Sequence, residues 1–139
     1  MYKNLLLVLI VLWSSFAVAD ENDWPSWRGA AQTGSKLGGD YPDVLDASTL
    51  VWKTELPGRG CSTPIVLDKT IYVTLPINDV DSLVALDWAG QKLWDAGFGK
   101  QLPGKHRNGS GSNASPVTDG NAIFCYFKSG TLGLSLIHI

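Results

Sequence analysis

The tightest constraint in this 139-residue sequence is a strand–turn–strand pattern that occurs twice. Ser62-Thr63-Pro64-Ile65-Val66 leads through a turn at Asp68-Lys69 into Thr70-Ile71-Tyr72-Val73. Ser115-Pro116-Val117-Thr118 leads through Asp119-Gly120-Asn121 into Ala122-Ile123-Phe124-Cys125-Tyr126. Proline and aromatic are equally spaced in both copies, 72 − 64 = 8 and 124 − 116 = 8. Turn residues between runs rich in β-branched and aromatic side chains read as paired strands. Internal repetition of this kind points to a repeat architecture.

The unit extends beyond the hairpin. Ser82-Leu83-Val84-Ala85-Leu86-Asp87 reads as a third strand, Trp88-Ala89-Gly90-Gln91 as a turn, and Lys92-Leu93-Trp94-Asp95 as a fourth. Leu50-Val51-Trp52-Lys53-Thr54 repeats the apolar-then-Trp pattern of that fourth strand. Trp52 and Trp94 are 94 − 52 = 42 residues apart, close to the roughly 40–50 residues of a four-stranded propeller blade. The second copy has a longer entry: Trp94 to Pro116 is 22 residues, against 12 from Trp52 to Pro64. Loops absorb such insertions without disturbing strands. No helical periodicity runs through the mature chain. The expected fold is therefore all-β, a β-propeller of four-stranded blades with about two blades present. Pro64 stands near a strand start, where a missing ladder donor costs least. A Trp closing each unit is suited to lie flat on the neighbouring blade.

Ala85-Leu86-Asp87-Trp88-Ala89-Gly90-Gln91-Lys92-Leu93-Trp94 resembles the tryptophan-docking motif of PQQ-type (quinoprotein-like) propeller repeats, A-x-D-x-x-T-G-K-x-x-W. It is one residue shorter, with Ala89 in place of Thr before Gly90. Asp23-Trp24-Pro25-Ser26-Trp27-Arg28-Gly29 resembles the D-W-P-x-W-R-G opening of secreted PQQ-repeat proteins, and Leu56-Pro57-Gly58-Arg59-Gly60 is similar to their approach to the first inner strand. The resemblance covers nearly all of residues 23–133. It implies seven or eight blades in the whole protein, and structural docking roles for Trp52, Trp94, Asp87 and Gly90. It implies too that the strand at Trp52 closes the ring with C-terminal strands.

The ends read differently. Lys3, the apolar run Leu5 to Trp13, and Ala17-Val18-Ala19 follow the order of a secretory signal peptide, with Ala17 and Ala19 at the positions the peptidase reads and cleavage before Asp20. The apolar run is shorter than the roughly 20 residues of a membrane span, so stable membrane insertion after cleavage is not expected. Leu134-Ser135-Leu136-Ile137-His138-Ile139 matches the translation of a transposase mosaic-end adapter and is read as a sequencing artefact. The expected organisation is a signal peptide at 1–19, a lead-in segment at 20–49, a partial propeller at 50–133 (closing strand plus about two blades), and the artefact at 134–139. With too few blades to close a ring, residues 20–133 alone are expected to be poorly soluble or partly folded.

Outside the signal peptide, 10 basic residues face 13 acidic ones, a formal charge of 10 − 13 = −3. That balance argues against a general nucleic-acid surface. Cys61 and Cys125 are far apart and form no metal-binding pair; one disulfide or two free thiols are both open. Asp79 and Asp81 are expected in a loop, as solvated carboxylates rather than cation ligands. Gly99 to Asn113, with Lys100, Lys105, His106 and Arg107 ahead of Asn108-Gly109-Ser110-Gly111-Ser112-Asn113, is the candidate ligand-facing loop. Basic side chains beside Gly/Ser backbone suit an anion, although a flexible, solvated surface loop is the expected default. No residue is assigned as catalytic, cofactor-binding or metal-binding.

The resemblance favours the BamB-like, non-catalytic branch: a secreted or periplasmic scaffold that binds other cell-envelope proteins without a cofactor. No Cys lies near the cleavage site for a lipid anchor. The alternative is a PQQ- and calcium-dependent alcohol or sugar dehydrogenase. That enzyme class carries adjacent cysteines and calcium-binding carboxylates, which residues 20–133 do not present in that pattern.

Overall fold

A computed structural model of the chain describes residues 22–36 and 38–137. The signal-peptide reading, with Ala17 and Ala19, and His138 lie outside the described residues. The described chain is all-β: β1 (Ile65–Leu67), β2 (Thr70–Ile77), β3 (Val80–Leu86) and β4 (Lys92–Lys100), then β5 (Val117–Thr118), β6 (Ala122–Tyr126) and β7 (Leu132–Leu136). The first four form one antiparallel sheet in sequence order, and the last three form a second.

Local chemistry sets the turns. Asp68 and Lys69 both have positive φ, as do Asn78 and Asp79, the backbone of two-residue hairpins whose twist matches the strands. The second of these turns corrects an expectation. β2 and β3 run on to Ile77 and back from Val80, so Asp81 is a strand residue opposite Pro76. Its side chain is 0% exposed, not solvated in a loop. Pro76 is tolerated because β1 pairs β2 only as far as Tyr72, leaving no ladder bond for the proline to break.

Alternation then assigns faces. Ile65, Leu67, Tyr72, Leu83 and Ala85 share one face of the first sheet and form a single cluster with Ile123, Cys125 and Phe127 of the second. Val73, Leu75, Val84 and Leu86 cluster on the opposite face of the first sheet. The two hairpins are offset by 117 − 65 = 52 residues. Ile71, Val73 and Leu75 thus correspond to Ile123, Cys125 and Phe127. The second sheet therefore covers the first with the face equivalent to the one the first sheet turns away. Burying each large apolar side chain here contributes about 1.5–3 kcal/mol. Trp94 and Phe98 of β4 pack at the margin of this interface, Trp94 beside Tyr72 with centroids 6.0 Å apart and Phe98 beside Phe127 at 5.6 Å. The register shifts of β4 leave Leu93 and Phe98 as extra residues opposite β3, bulges that bend the strand.

Asp23-Trp24-Pro25 ties both sheets at their first strands. Trp24 exchanges two 2.9 Å backbone hydrogen bonds with Val66, Pro25 O accepts from Thr118 N, and the Asp23 carboxylate accepts from Asp68 N. Leu50–Thr54 is not a strand: no partner strand lies beside it among the described residues, and backbone pairing, not sequence pattern, makes a strand. Leu134–Leu136, read from sequence as an artefact, complete β7 by pairing with Ala122 to Phe124; alternating leucines fit an available sheet edge whatever their origin.

Candidate functional site

The residues singled out in the sequence fall in two places: the tryptophan contact on the turn after β3, and the long loop between β4 and β5. In the turn, the Asp87 carboxylate accepts from Ala89 N at 2.9 Å and Gln91 N at 2.8 Å. Gly90, at φ +80°, donates to Asp87 O. A Cβ on Gly90 would fall 2.5 Å from the Trp52 ring, so the glycine serves both the left-handed backbone and the close approach. Trp52 Nε1 donates to Trp88 O at 2.9 Å. Trp52, Asp87 and Gly90 are thus brought together. Trp94 is elsewhere, in the interface with Tyr72.

The loop from Gln101 to Ala114 lies at the end of the sheets remote from Trp94. Its anchorage is extensive. Asn113 Oδ1 accepts from Cys61 N (3.1 Å), Ser110 N (2.9 Å) and Ser110 Oγ (3.3 Å). Cys61 Sγ donates to Asn108 O, and Lys128 Nζ donates to Pro103 O at 2.7 Å. Lys128 N donates to Gly111 O, and Gly111 stacks so closely on Leu102 O that no side chain fits there. Thr74 Oγ1 donates to Ala114 O, and Ser115 Oγ accepts from Thr63 N. This is a fixed loop, not the free one expected from its composition.

Its deepest anchor is Asp81. Ser112 Oγ donates to Asp81 Oδ1 at 2.6 Å and Ser129 Oγ donates to Oδ2 at 2.7 Å. Ser112 is fully buried, and Ser129 belongs to the β6–β7 turn. One carboxylate therefore joins β3, the loop and the second sheet. A buried carboxylate needs such donors to offset its lost hydration. Sequence reading missed this role for Asp81, Ser112, Ser129 and Asn113; the Ser/Asn-rich run at 108–115 was the available signal, but its partners are dozens of residues away.

Lys105, His106 and Arg107 stand together on the outer part of this loop as a cationic rim, and Arg59 lies two residues before Cys61, which is hydrogen-bonded to the loop. All four are exposed. Arg59, Lys105 and Arg107 meet no carboxylate within ion-pair distance among the described residues. A cationic rim on an acidic chain attracts anionic groups at long range. His106 is exposed, and its Nδ1 accepts from Asn108 N at 3.2 Å.

The two thiols are separate: Cys61 is exposed and Cys125 buried, both free. Desolvation pushes the Cys125 thiol up to about 12. No group of three or more His, Cys, Asp or Glu side chains suited to a metal ion occurs among the described residues, and no described helix is long and apolar enough to cross a membrane. Neither the family models nor the curated proteins contain a match to the chain.

Proposed function

We propose that this chain belongs to a secreted or periplasmic PQQ-repeat-like β-propeller that serves as a protein-binding or assembly scaffold, and that its anchored cationic rim is the binding surface. The observation that carries the propeller part is the face-to-face stacking of sheets one repeat apart, each turning the same face the same way. Such stacking continues naturally: Val117, Phe124, Tyr126, Leu132, Leu134 and Leu136 offer the next sheet the face that the second sheet covers on the first. The observation that carries the scaffold part is the loop itself. Its side-chain contacts serve to hold a shape and leave the cations outward, which suits recognition of an acidic surface of another envelope protein.

The scaffold reading is tested by placing a photo-crosslinking residue at His106 and, as a control at the far end of β4, at Lys92. Exposure to a cell-envelope extract should give discrete, salt-sensitive adducts from position 106 and none from 92. Equal capture at both positions overturns the rim as the binding surface. Dye-reductase activity gained by the full-length protein on adding PQQ and calcium overturns the scaffold reading in favour of the dehydrogenase.

A further inference from the structure

We propose that Asn108 is a modification site: its side-chain amide is lost by cyclisation onto Gly109 N, and the carboxylate that forms lowers the charge of the cationic rim as the protein ages. Of the six asparagines in the chain, only Asn108 precedes glycine. The fold requires that glycine, since a Cβ at 109 would fall 2.9 Å from Asn113 Nδ2. With no side chain there, nothing crowds the ring closure. Asn108 is exposed, and its side-chain amide makes no hydrogen bond among the described residues; its backbone N and O are engaged, with His106 Nδ1 and Cys61 Sγ. Two positions of related chemistry are held differently. Asn113 precedes alanine, and its Oδ1 accepts three hydrogen bonds. Asp119 precedes Gly120, but its carboxylate accepts from Asn121 N and Ala122 N, both at 2.9 Å. Those donors hold it below the usual carboxylate range, ionised, and an ionised carboxylate is a poor electrophile.

The reaction needs only water. Gly109 N gives its proton to hydroxide and forms a bond to Asn108 Cγ. The Cγ–Nδ2 bond breaks, and Nδ2 takes up a proton and leaves as ammonia. One water then opens the cyclic imide at either carbonyl. One opening gives aspartate, the other isoaspartate, and no electrons change hands. Gly109 N donates to His106 O at 3.0 Å, so the nitrogen is freed only when this exposed turn opens locally. That requirement makes the change slow, a matter of protein age. The positive potential of Lys105 and Arg107 favours loss of the Gly109 proton. The product sets a carboxylate one residue from Arg107 and three from Lys105, neither of which has a carboxylate partner among the described residues. Its charge offsets theirs at short range. The resulting loss of affinity for an acidic partner rests on the scaffold reading; the chemistry at Asn108 does not.

The test ages the full chain in neutral and in mildly alkaline buffer, beside Asn108→Gln, whose longer side chain closes the ring poorly. Mass spectrometry of proteolytic peptides and labelling by an isoaspartyl methyltransferase follow the products. Asn108 should convert to a mixture of aspartate and isoaspartate, faster in the alkaline buffer, while Asn113 and Asp119 stay unchanged. Asn108→Gln should lose the labelling of this loop. An Asn108 that stays intact, aspartate formed without isoaspartate, or loop labelling that persists in Asn108→Gln would each overturn the site. Asn108→Asp carries the product charge from the start and reads the consequence. With the photo-crosslinker at His106, it should give severalfold fewer adducts from the envelope extract than the parent. Undiminished adducts would overturn the effect on binding and leave the scaffold reading standing. A parent without adducts would overturn the scaffold reading and the effect on binding with it, and the mass spectra would still decide the modification.

Discussion

The two sheets start from the same strand pattern and end in different circumstances. In the first, Ile65 is 0% exposed because the second sheet lies on it; its counterpart Val117 is 44% exposed because nothing among the described residues does. The strands form alike in both, since turn chemistry and alternation act locally. Burial differs, since burial belongs to the neighbour. The largest effect to test is therefore the contrast within this pair. Ile65→Ala should lower unfolding free energy by about 2–5 kcal/mol, the range for deleting buried aliphatic groups. Val117→Ala should stay near the roughly 0.5 kcal/mol of surface changes. Urea titration of the two variants measures both. Equal losses would mean that the open face of the second sheet is covered in solution, and the comparison between the sheets would fail.

The next contrast is between the ends of the interface. One end is apolar and aromatic; at the other, a single carboxylate holds β3, the rim loop and the β6–β7 turn. Asp81→Ala leaves the buried Ser112 hydroxyl without its acceptor, a loss of about 1–3 kcal/mol for a buried polar group, and cuts the tie to Ser129, which keeps Thr131 Oγ1 as an acceptor. The rim loop should loosen with it. Tryptic cleavage after Lys105 and Arg107 should accelerate in Asp81→Ala beyond its rate in a core variant of matched stability. An unchanged cleavage rate would show that the loop is held by Asn113 and Lys128 without help from Asp81.

These contrasts also show what the sequence discloses. The hairpins, the β3–β4 pair and the Asp87–Gly90 turn are legible because each is dictated by residues a few positions apart. Asp81 was not, because alternation and polarity together place an aspartate in solvent or in a loop. Only the approach of Ser112 and Ser129, from 31 and 48 residues away, makes a buried carboxylate tolerable. Leu50–Thr54 shows the converse: its pattern is that of a strand, but a strand also needs an edge to pair with, and none lies beside it among the described residues. Its tryptophan nonetheless reaches the turn the docking motif points to. The rim was half legible, its cations evident and its rigidity hidden in long-range hydrogen bonds.

The two glycine turns sharpen this further. Gly90 and Gly130 both sit at positive φ, +80° and +88°, and both donate back three residues, to Asp87 O and Phe127 O. Only Gly90 has a ring above it; a Cβ on Gly130 would meet open space. Alanine at either position incurs the left-handed cost, about 1–2 kcal/mol. At Gly90 it must also displace Trp52. Gly90→Ala should therefore expose the segment before β1, seen as faster tryptic cleavage after Lys53, whereas Gly130→Ala should leave that site as slow as in the parent. Equal cleavage in the two variants would remove Trp52 as the clasp of that segment.

The smallest effects belong to the two thiols, which report on the rim and on the interface separately. Cys61, exposed on the anchoring segment, should react with a thiol reagent in the native chain, while Cys125 should react only after unfolding. The pH dependence follows from burial. Desolvation raises the folded Cys125 thiol to about 12 from its ordinary 9.0, so the folded chain keeps a proton that the unfolded chain releases. Stability from this group is intact below pH 9.0 and falls as pH rises from there toward about 12. Cys125→Ala should flatten that fall, and Cys61→Ala should leave it unchanged, when melting is followed from pH 8 to 11. Native reaction of Cys125 at a rate near that of Cys61 would mean that the second sheet parts readily from the first. The eight interface residues would then be a contact that opens, and the contrast between a covered and an uncovered face would hold only on average.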